Sequence, residues 1–431
     1  MSMRSDPPTP EAPPATPRTV PIRPAPRGSV GVGLPARPAS DARPGLSGAT
    51  TVEVAAWAAS VGQAAYRVRQ LQDAIWRTNV RTADEMLTLP AALRAMVDAS
   101  WRVDTLTRTE LSRDDGGKTE KALHTLSDGV LVESVLMHYP ARPGQRARHT
   151  VCISSQAGCA VGCPFCATGE LGFTRDLETA EIVDQVRCAS RSLAAEGNRL
   201  TNIVFMGMGE PLLNLDRVLE AVSILSDPAR FGLGARHITV STSGVVPGME
   251  RLTALGPQFT LAVSLHAARD ALRDILVPLN RRWPVAEVVE AARQHARVTG
   301  RRVSYEVTLI RGINDTDLDA QAMAGLLRGD HAHVNLIPMN PVAHTAWEAS
   351  PPESVSRFAD QLRAAGIATT IRRNRGQEIG AACGQLAAER AGTPAAPAVA
   401  RRRERIVSAS VAELRTDLRV AGPAAAAGEG E

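Results

Sequence analysis

Apolar residues recur with two different periods along this chain, and the change of period divides it. Over residues 51–105 the stretches "AAYRVRQLQDAIWRT" and "TADEMLTLPAALRAMVDAS" space their apolar positions three and four apart, as in helices with one buried stripe. "TVEVAAWAASVG" opens this module, and Pro90 breaks its last part into a helix pair. Residues 106–148 read as extended: "KALHTLSDGVLVESVLMHYP" gives strand-like runs about a turn at Ser127-Asp128-Gly129. From 149 onward, short apolar runs alternate with helical stretches. The strand candidates are "HTVCISS", "TNIVFMGMG", "HITVSTSG", "FTLAVSLHA", "RVSYEVTLI" and "AHVNLIPMN". Helices such as "TAEIVDQVRCASRSLAAE" and "VAEVVEAARQHARV" lie between them, and a last helix and the strand "ATTIRR" follow. Repeated βα units predict a parallel sheet covered by helices. Six units suit a partial, open barrel better than a closed eight-stranded one, with ligands at the carboxyl ends of the strands.

The predicted class is therefore α/β: a partial (βα)6 barrel over 149–388, an extended β linker region over 106–148 and a small helical accessory domain over 51–105. Residues 1–50 are rich in Pro, Ala, Gly and Arg without a period, which predicts a disordered basic arm. Residues 389–431 predict a mostly disordered tail for the same reason. Hydrophobic residues make up 44% of the 431, enough for a sizeable core, and the net charge of +4 is only weakly suggestive of nucleic acid. No apolar run reaches the 18 residues a membrane span requires, and no basic head precedes an apolar stretch as in a signal peptide. A cytoplasmic, monomeric protein is the default expectation. Aromatic residues are only 3%, too few for a broad base-stacking platform.

The chemistry is concentrated in Cys159-Ala-Val-Gly-Cys163-Pro-Phe-Cys166, directly after the first barrel strand. Three thiols at this spacing can hold three irons of a 4Fe–4S cluster and leave the fourth open to S-adenosylmethionine (SAM), the pattern of the radical SAM enzymes. A ferredoxin-type cluster takes four cysteines and a structural zinc site four ligands, whereas the local run stops at three. Phe165 is placed to shield the cluster. Met206-Gly207-Met208-Gly209-Glu210-Pro211 ends the second strand, where glycines let backbone approach a ligand closely and Glu210 can accept from the SAM ammonium. Ser241, Ser264, Leu265, His266 and Asn340 end later strands and offer further SAM contacts.

Two cysteines lie outside the triplet. Cys152 precedes it by seven residues, and Cys383 falls far along the chain in "RRNRGQEIGAACGQL". A thiolate at Cys383 could attack a SAM methyl group, whereas the simpler readings are two buried thiols or a fourth cluster ligand. Cys188, inside a helix, reads as packing. Arg175, Arg273, Arg281, Arg282, Arg311, Arg372, Arg373 and Arg375 lie near strand ends or loops, where they could meet phosphates.

Taken together, "CISSQAGCAVGCPFCATGELGFTRD", "NIVFMGMGEPLLNLDRV", "ITVSTSGVVPGM", "LIRGIND", "HVNLIPMNP" and "RGQEIGAACGQL" closely resemble the RlmN family of radical SAM adenine C2-methyltransferases, from about 60 to 388. The resemblance implies a 4Fe–4S cluster on Cys159, Cys163 and Cys166, and SAM on Gly209, Glu210, Ser241, Ser264, Leu265, His266 and Asn340. It implies that Cys383 carries a methyl group from one SAM, that a second SAM is cleaved to a 5′-deoxyadenosyl radical, and that Cys152 ends in a disulfide with Cys383. Glu133 matches a proton acceptor. The implied substrates are 23S rRNA, before full subunit assembly, and adenine 37 of some transfer RNAs. The implied electron donor is a flavodoxin or ferredoxin. Competing readings are the related C8-methyltransferases, a radical SAM enzyme acting on a non-RNA substrate, and a non-catalytic RNA-binding module.

Overall fold

The computed structural model describes residues 41–372 and 374–387. The N-terminal module holds α1 (Thr51–Ser60), α2 (Tyr66–Asp73) and α3 (Ala91–Ser100). α1 starts on a reciprocal capping box between Thr50 and Glu53. The segment before Pro90, expected to be helical, forms only a single 3-10 turn at Ala83–Glu85. Most of the predicted arm, 1–40, lies outside the described residues. Residues 41–50 are packed: Leu46 and Ser47 are buried, and Gly48 lies against Ala180 so closely that a Cβ there would sit 2.8 Å from the Ala180 amide. No periodic signal marked this contact, because it depends on a missing side chain.

Three antiparallel strands follow: β1 (Leu106–Asp114), β2 (Thr119–Leu126) and β3 (Leu131–Tyr139). The β2–β3 turn falls at Ser127–Gly129 as the sequence predicted. This region does not link two bodies. It forms one end of a single ten-stranded sheet, because β3 pairs antiparallel with β4 (Arg148–Cys152), the first barrel strand. Next come the short strands β5 (Gln156–Gly158) and β6 (Phe173–Asp176), paired with each other, with α4 (Ala167–Leu171) between them. After these come α5 (Thr179–Ala195), β7 (Asn202–Phe205), α6 (Leu215–Ser226), β8 (Ile238–Thr242), α7 (Val246–Leu255) and β9 (Thr260–Ser264). The series closes with α8 (Asp270–Leu276), α9 (Val285–Thr299), β10 (Val303–Leu309), α10 (Asp317–Leu327), β11 (Ala332–Pro338), α11 (Pro352–Ala364) and β12 (Ala368–Ile371). β4 and β7 to β12 are parallel and stand side by side in sequence order, an open partial barrel.

The strands alternate. Ile238, Val240, Tyr305, Val307, Val334 and Leu336 point outward into the core beneath the helices. Their neighbours Thr239, Ser241, Glu306, Thr308, His333 and Asn335 line the lumen. Parallel strands buried on both faces usually run continuously apolar. The polar inner face here marks a lumen built for polar ligands.

Candidate functional site

The cysteine loop is an excursion between β5 and β6, so that pair closes it at the base. Cys159 N donates to Gly172 O at 2.9 Å, and Gly158 adopts φ +77°. The other walls come from the carboxyl ends of the barrel strands. Cys159, Cys163, Cys166, Gly209, Glu210, Ser241, Ser264, His266, Asn340 and Cys383 all line one cavity of about 950 Å³, part of it open to solvent. Residues from six separate stretches of sequence thus meet in one place.

This donor set fits an iron–sulfur cluster. Burial pushes the Cys159 thiol up to about 12 and raises those of Cys163 and Cys166, so bare thiolates are disfavoured unless positive charge sits against them. Metal cations supply that charge. Among the described residues no three His, Cys, Asp or Glu side chains converge on a single-ion position. That is compatible with a cluster, in which each thiolate binds its own iron. Phe165 is buried beside the loop with its ring centroid 4.7 Å from that of His266, and packs with Val161, Leu276 and Met339.

Glu210 is buried, and its partners are neutral donors: Ser243 N at 2.6 Å, Ser243 Oγ at 2.7 Å and Leu212 N at 3.0 Å. Burial raises its pKa despite these bonds. A cation such as an ammonium would offset that cost. The glycines before it line the cavity and also permit a close packing of the chain. A Cβ on Gly207 would lie 2.6 Å from Ile153 O, and one on Gly209 (φ +100°) 2.5 Å from the Gln156 side chain. They let β7 press against the segment after β4.

His266 has φ +60°, unusual for a residue with a side chain. Its Nδ1 accepts from Thr308 N at 3.0 Å, and Asn314 holds its carbonyl at 2.9 Å. Burial, aided by Arg273, pushes it down to about 3, so it is neutral. Leu265 is placed differently from Ser264 and His266. Its side chain is buried in the core and does not line the cavity, since successive residues of an extended chain face opposite ways.

Cys383 is seated from two sides. Asn340 Nδ2 donates to its carbonyl at 2.9 Å while Asn340 Oδ1 accepts from Gln377 at 2.7 Å. Gly384 O accepts from Ala167 N at 2.7 Å, next to Cys166, and Gly384 (φ +84°) lies against Phe165 O. Cys152, at the end of β4, is buried and does not line the cavity. Burial, with the nearby Cys383, pushes its thiol up to about 12. All six cysteines are free thiols. The charge of Cys383 first, then those of Glu306, Tyr139 and Cys152, raise Arg372 further against the pull of burial.

Glu133 also lies outside the cavity lining. It is fully buried in β3, 3.0 Å from Lys121 Nζ, and accepts from Ala387 N at 2.9 Å. It therefore ties the Cys383 segment to the β1–β3 extension.

Glu306 is the cavity residue that sequence reasoning passed over. It takes a hydrogen bond from Asn335 at 2.8 Å, and burial raises it. The only signal was a carboxylate in the middle of the strand "RVSYEVTLI". Of the candidate phosphate contacts, Arg175 is bound to Asp128 and Glu181 and Arg311 to Glu348. Arg273 is fully buried and clamps strand ends through Ser243 O at 2.7 Å and Leu265 O at 3.0 Å. Arg281 and Arg282 are exposed outside the cavity, and Arg373 lies outside the described residues. Only Arg372 and Arg375 reach the lumen.

Residues 153–322 match the family model of the radical SAM superfamily. The chain is 53% identical over 346 residues to a protein of Parafrankia sp. named "Probable dual-specificity RNA methyltransferase RlmN", covering 77% of this chain and 88% of the relative. A protein of the same name from Thermobifida fusca is 52% identical, covering 77% and 91%. The crystal structure of a radical SAM methyltransferase from Sphaerobacter thermophilus superposes with a TM-score of 0.78 at 46% identity, covering 80% of this chain and all of that one. Among the described residues no helix is long and apolar enough to cross a membrane.

Proposed function

This chain belongs to the RlmN family of dual-specificity RNA methyltransferases within the radical SAM superfamily, and we propose that it methylates C2 of one adenine in the peptidyl transferase region of 23S rRNA and of adenine 37 in some transfer RNAs. The family implies a 4Fe–4S cluster and SAM. In this reading the cluster sits on Cys159, Cys163 and Cys166. SAM sits against Gly209, Glu210, Ser241, Ser264, the backbone at Leu265, His266 and Asn340. When bound, these groups supply a 5′-deoxyadenosyl radical.

The cysteines do the rest. C2 of adenine is an electron-poor sp² carbon with no lone pair to attack a methyl sulfonium, so direct displacement fails and a carbon radical is required. Cys383 takes a methyl group from a first SAM by ordinary displacement and becomes a thioether. Loss of a hydrogen atom makes that carbon a radical, which adds to C2 and joins protein to RNA. The adduct passes its C2 proton to Glu133, and the one electron it gives up would be taken by the oxidised cluster on Cys159, Cys163 and Cys166. Cys152 then attacks the Cys383 sulfur, the S–C bond breaks, and the freed carbon takes up a proton to become the methyl group. Two SAM are consumed, the Cys152–Cys383 disulfide must be reduced before the next turnover, and electrons for the reaction come from a reducing system such as flavodoxin or ferredoxin.

The observation that carries this reading is that Cys383, 217 positions after Cys166, lines the same cavity as the three cluster cysteines, with Cys152 close by. A cluster-binding module without catalysis has no use for that arrangement. The test is mass spectrometry of 23S rRNA after incubation with reconstituted enzyme, SAM and reductant, with Cys383→Ala in parallel. We expect a C2-methyladenine that is absent with the variant. A C8 isomer would move the chain to the C8 branch, and SAM cleavage without an RNA product would overturn the substrate.

A further inference from the structure

Beneath the cavity that holds Cys383, the barrel lumen continues toward the amino-terminal ends of its strands. It widens there into a second cavity of about 2000 Å³, counting its open mouth. Met206 and Arg372 line both spaces, so the second leads into the first. The lower space is lined by Arg142, Arg146, Arg148, Arg372, Arg375 and His333 among its ionisable groups, and, among the described residues, by no carboxylate. The whole chain carries a net charge of only +4, so five guanidinium groups facing one lumen are a local concentration.

The arginines are arranged in two tiers. Arg142 and Arg146 are exposed on the segment joining β3 to β4, at the mouth. Deeper in, Arg148 and Arg375 lie over the Tyr139 ring at 4.2 and 4.4 Å from its centroid, and Arg375 donates to His138 O at 2.8 Å. Stacking fixes these guanidinium planes before any ligand arrives. Like charges in a low-dielectric cleft repel, and an anion relieves that repulsion. Guanidinium forks match phosphate oxygens in pairs. The opposite end of the lumen is covered by the cysteine loop and the Cys383 segment, held together by Ala167 N to Gly384 O and by Thr168 Oγ1 to Leu386 O at 2.6 Å.

We propose that RNA enters the barrel through this mouth, at the end away from the cysteine loop, with the phosphates beside the target adenine on Arg142, Arg146 and Arg148. The target base then passes Tyr139 and Arg372 to reach Cys383. This rests on the RNA methyltransferase reading and adds the route and the residues that grip the strand.

Binding to an unmodified transcript of the peptidyl transferase domain of 23S rRNA, measured across a salt series, tests it. Three proteins are compared: wild type, Arg142→Ala/Arg146→Ala, and Arg217→Ala/Arg251→Ala. The last pair is exposed on helices outside the barrel and removes the same charge. Each single-strand phosphate contact contributes about 0.7 to the slope of log K against log salt. The mouth variant should lose about 1.4 in slope and bind more weakly, while the control keeps the wild-type slope. An unchanged slope and affinity in the mouth variant, or equal losses in both variants, overturns the route. Methylation by the wild type is assayed alongside. Methylation with an unchanged slope overturns the mouth alone, whereas a flattened slope without any methylated adenine supports the mouth and overturns the function.

Discussion

Gly158 shows how one missing side chain shapes the site. It leaves β5 with φ +77°, and a Cβ there would lie 1.8 Å from Gly172 O, inside the pair that closes the cysteine loop. The left-handed backbone and the overlap both oppose any larger residue. Gly158→Ala should therefore spread the base of the loop and lower the iron content of the reconstituted protein several-fold, read by iron analysis and by the cluster's visible absorbance. Unchanged iron content would show that the loop tolerates the displacement. Asn340 shows the opposite economy. Both ends of its amide are used on the Cys383 segment. A ligand that takes those bonds must loosen the segment carrying the reactive thiol.

Among the elements, α5 does the most joining. Arg187 and Asp184 are buried on it, 2.6 Å apart. Arg187 donates to Val103 O at 2.9 Å and Val80 O at 2.5 Å, while Asp184 accepts from Thr105 N at 2.8 Å and Thr105 Oγ1 at 2.7 Å. The accessory module is thus fastened to the barrel by polar groups as well as by Trp76, which packs against both apolar cores. Arg187→Ala leaves Asp184 charged and unpaired in the interior, which costs about 3–5 kcal/mol. The expected result is a marked fall in the urea midpoint. A loss under 1 kcal/mol would show that water or a shifted side chain replaces the guanidinium.

At the scale of the whole molecule, stability should depend on acid in a predictable way. His124 is buried between Thr109 Oγ1 at 3.0 Å and Ser134 Oγ at 2.8 Å, and burial pushes it down to about 3. His266 is pushed down to about 3 as well. The unfolded chain protonates these groups near 6.5, and the folded one does not until about pH 3. Their contribution is therefore complete above 6.5 and is lost as pH falls toward 3, by about 1.4 kcal/mol per pH unit for each histidine. His124→Gln, read by denaturant unfolding between pH 7 and 5, should flatten that dependence. An unchanged slope would mean that His124 is solvated in the folded protein.

Local and periodic features were legible without coordinates. The βα alternation, the β2–β3 turn and the three-cysteine spacing each depend on a few neighbouring residues, and backbone geometry translates such patterns directly. The sequence by itself therefore determined the partial barrel, the cluster loop and the candidate ligands at strand ends. Only the tertiary structure decided the long-range contacts. It joined the expected strands of 106–148 to the barrel sheet, packed residues 41–50 against α5, faced Leu265 away from the lumen, and placed Glu133 on Ala387, 254 positions away. It also sorted the arginines: of those read as phosphate contacts, Arg175 and Arg311 proved paired and Arg273 buried, while Arg142, Arg146 and Arg148, which no periodic pattern marked, line the lower lumen. Whether a charge is free or paired depends on which distant carboxylate the fold brings beside it, and no local pattern encodes that.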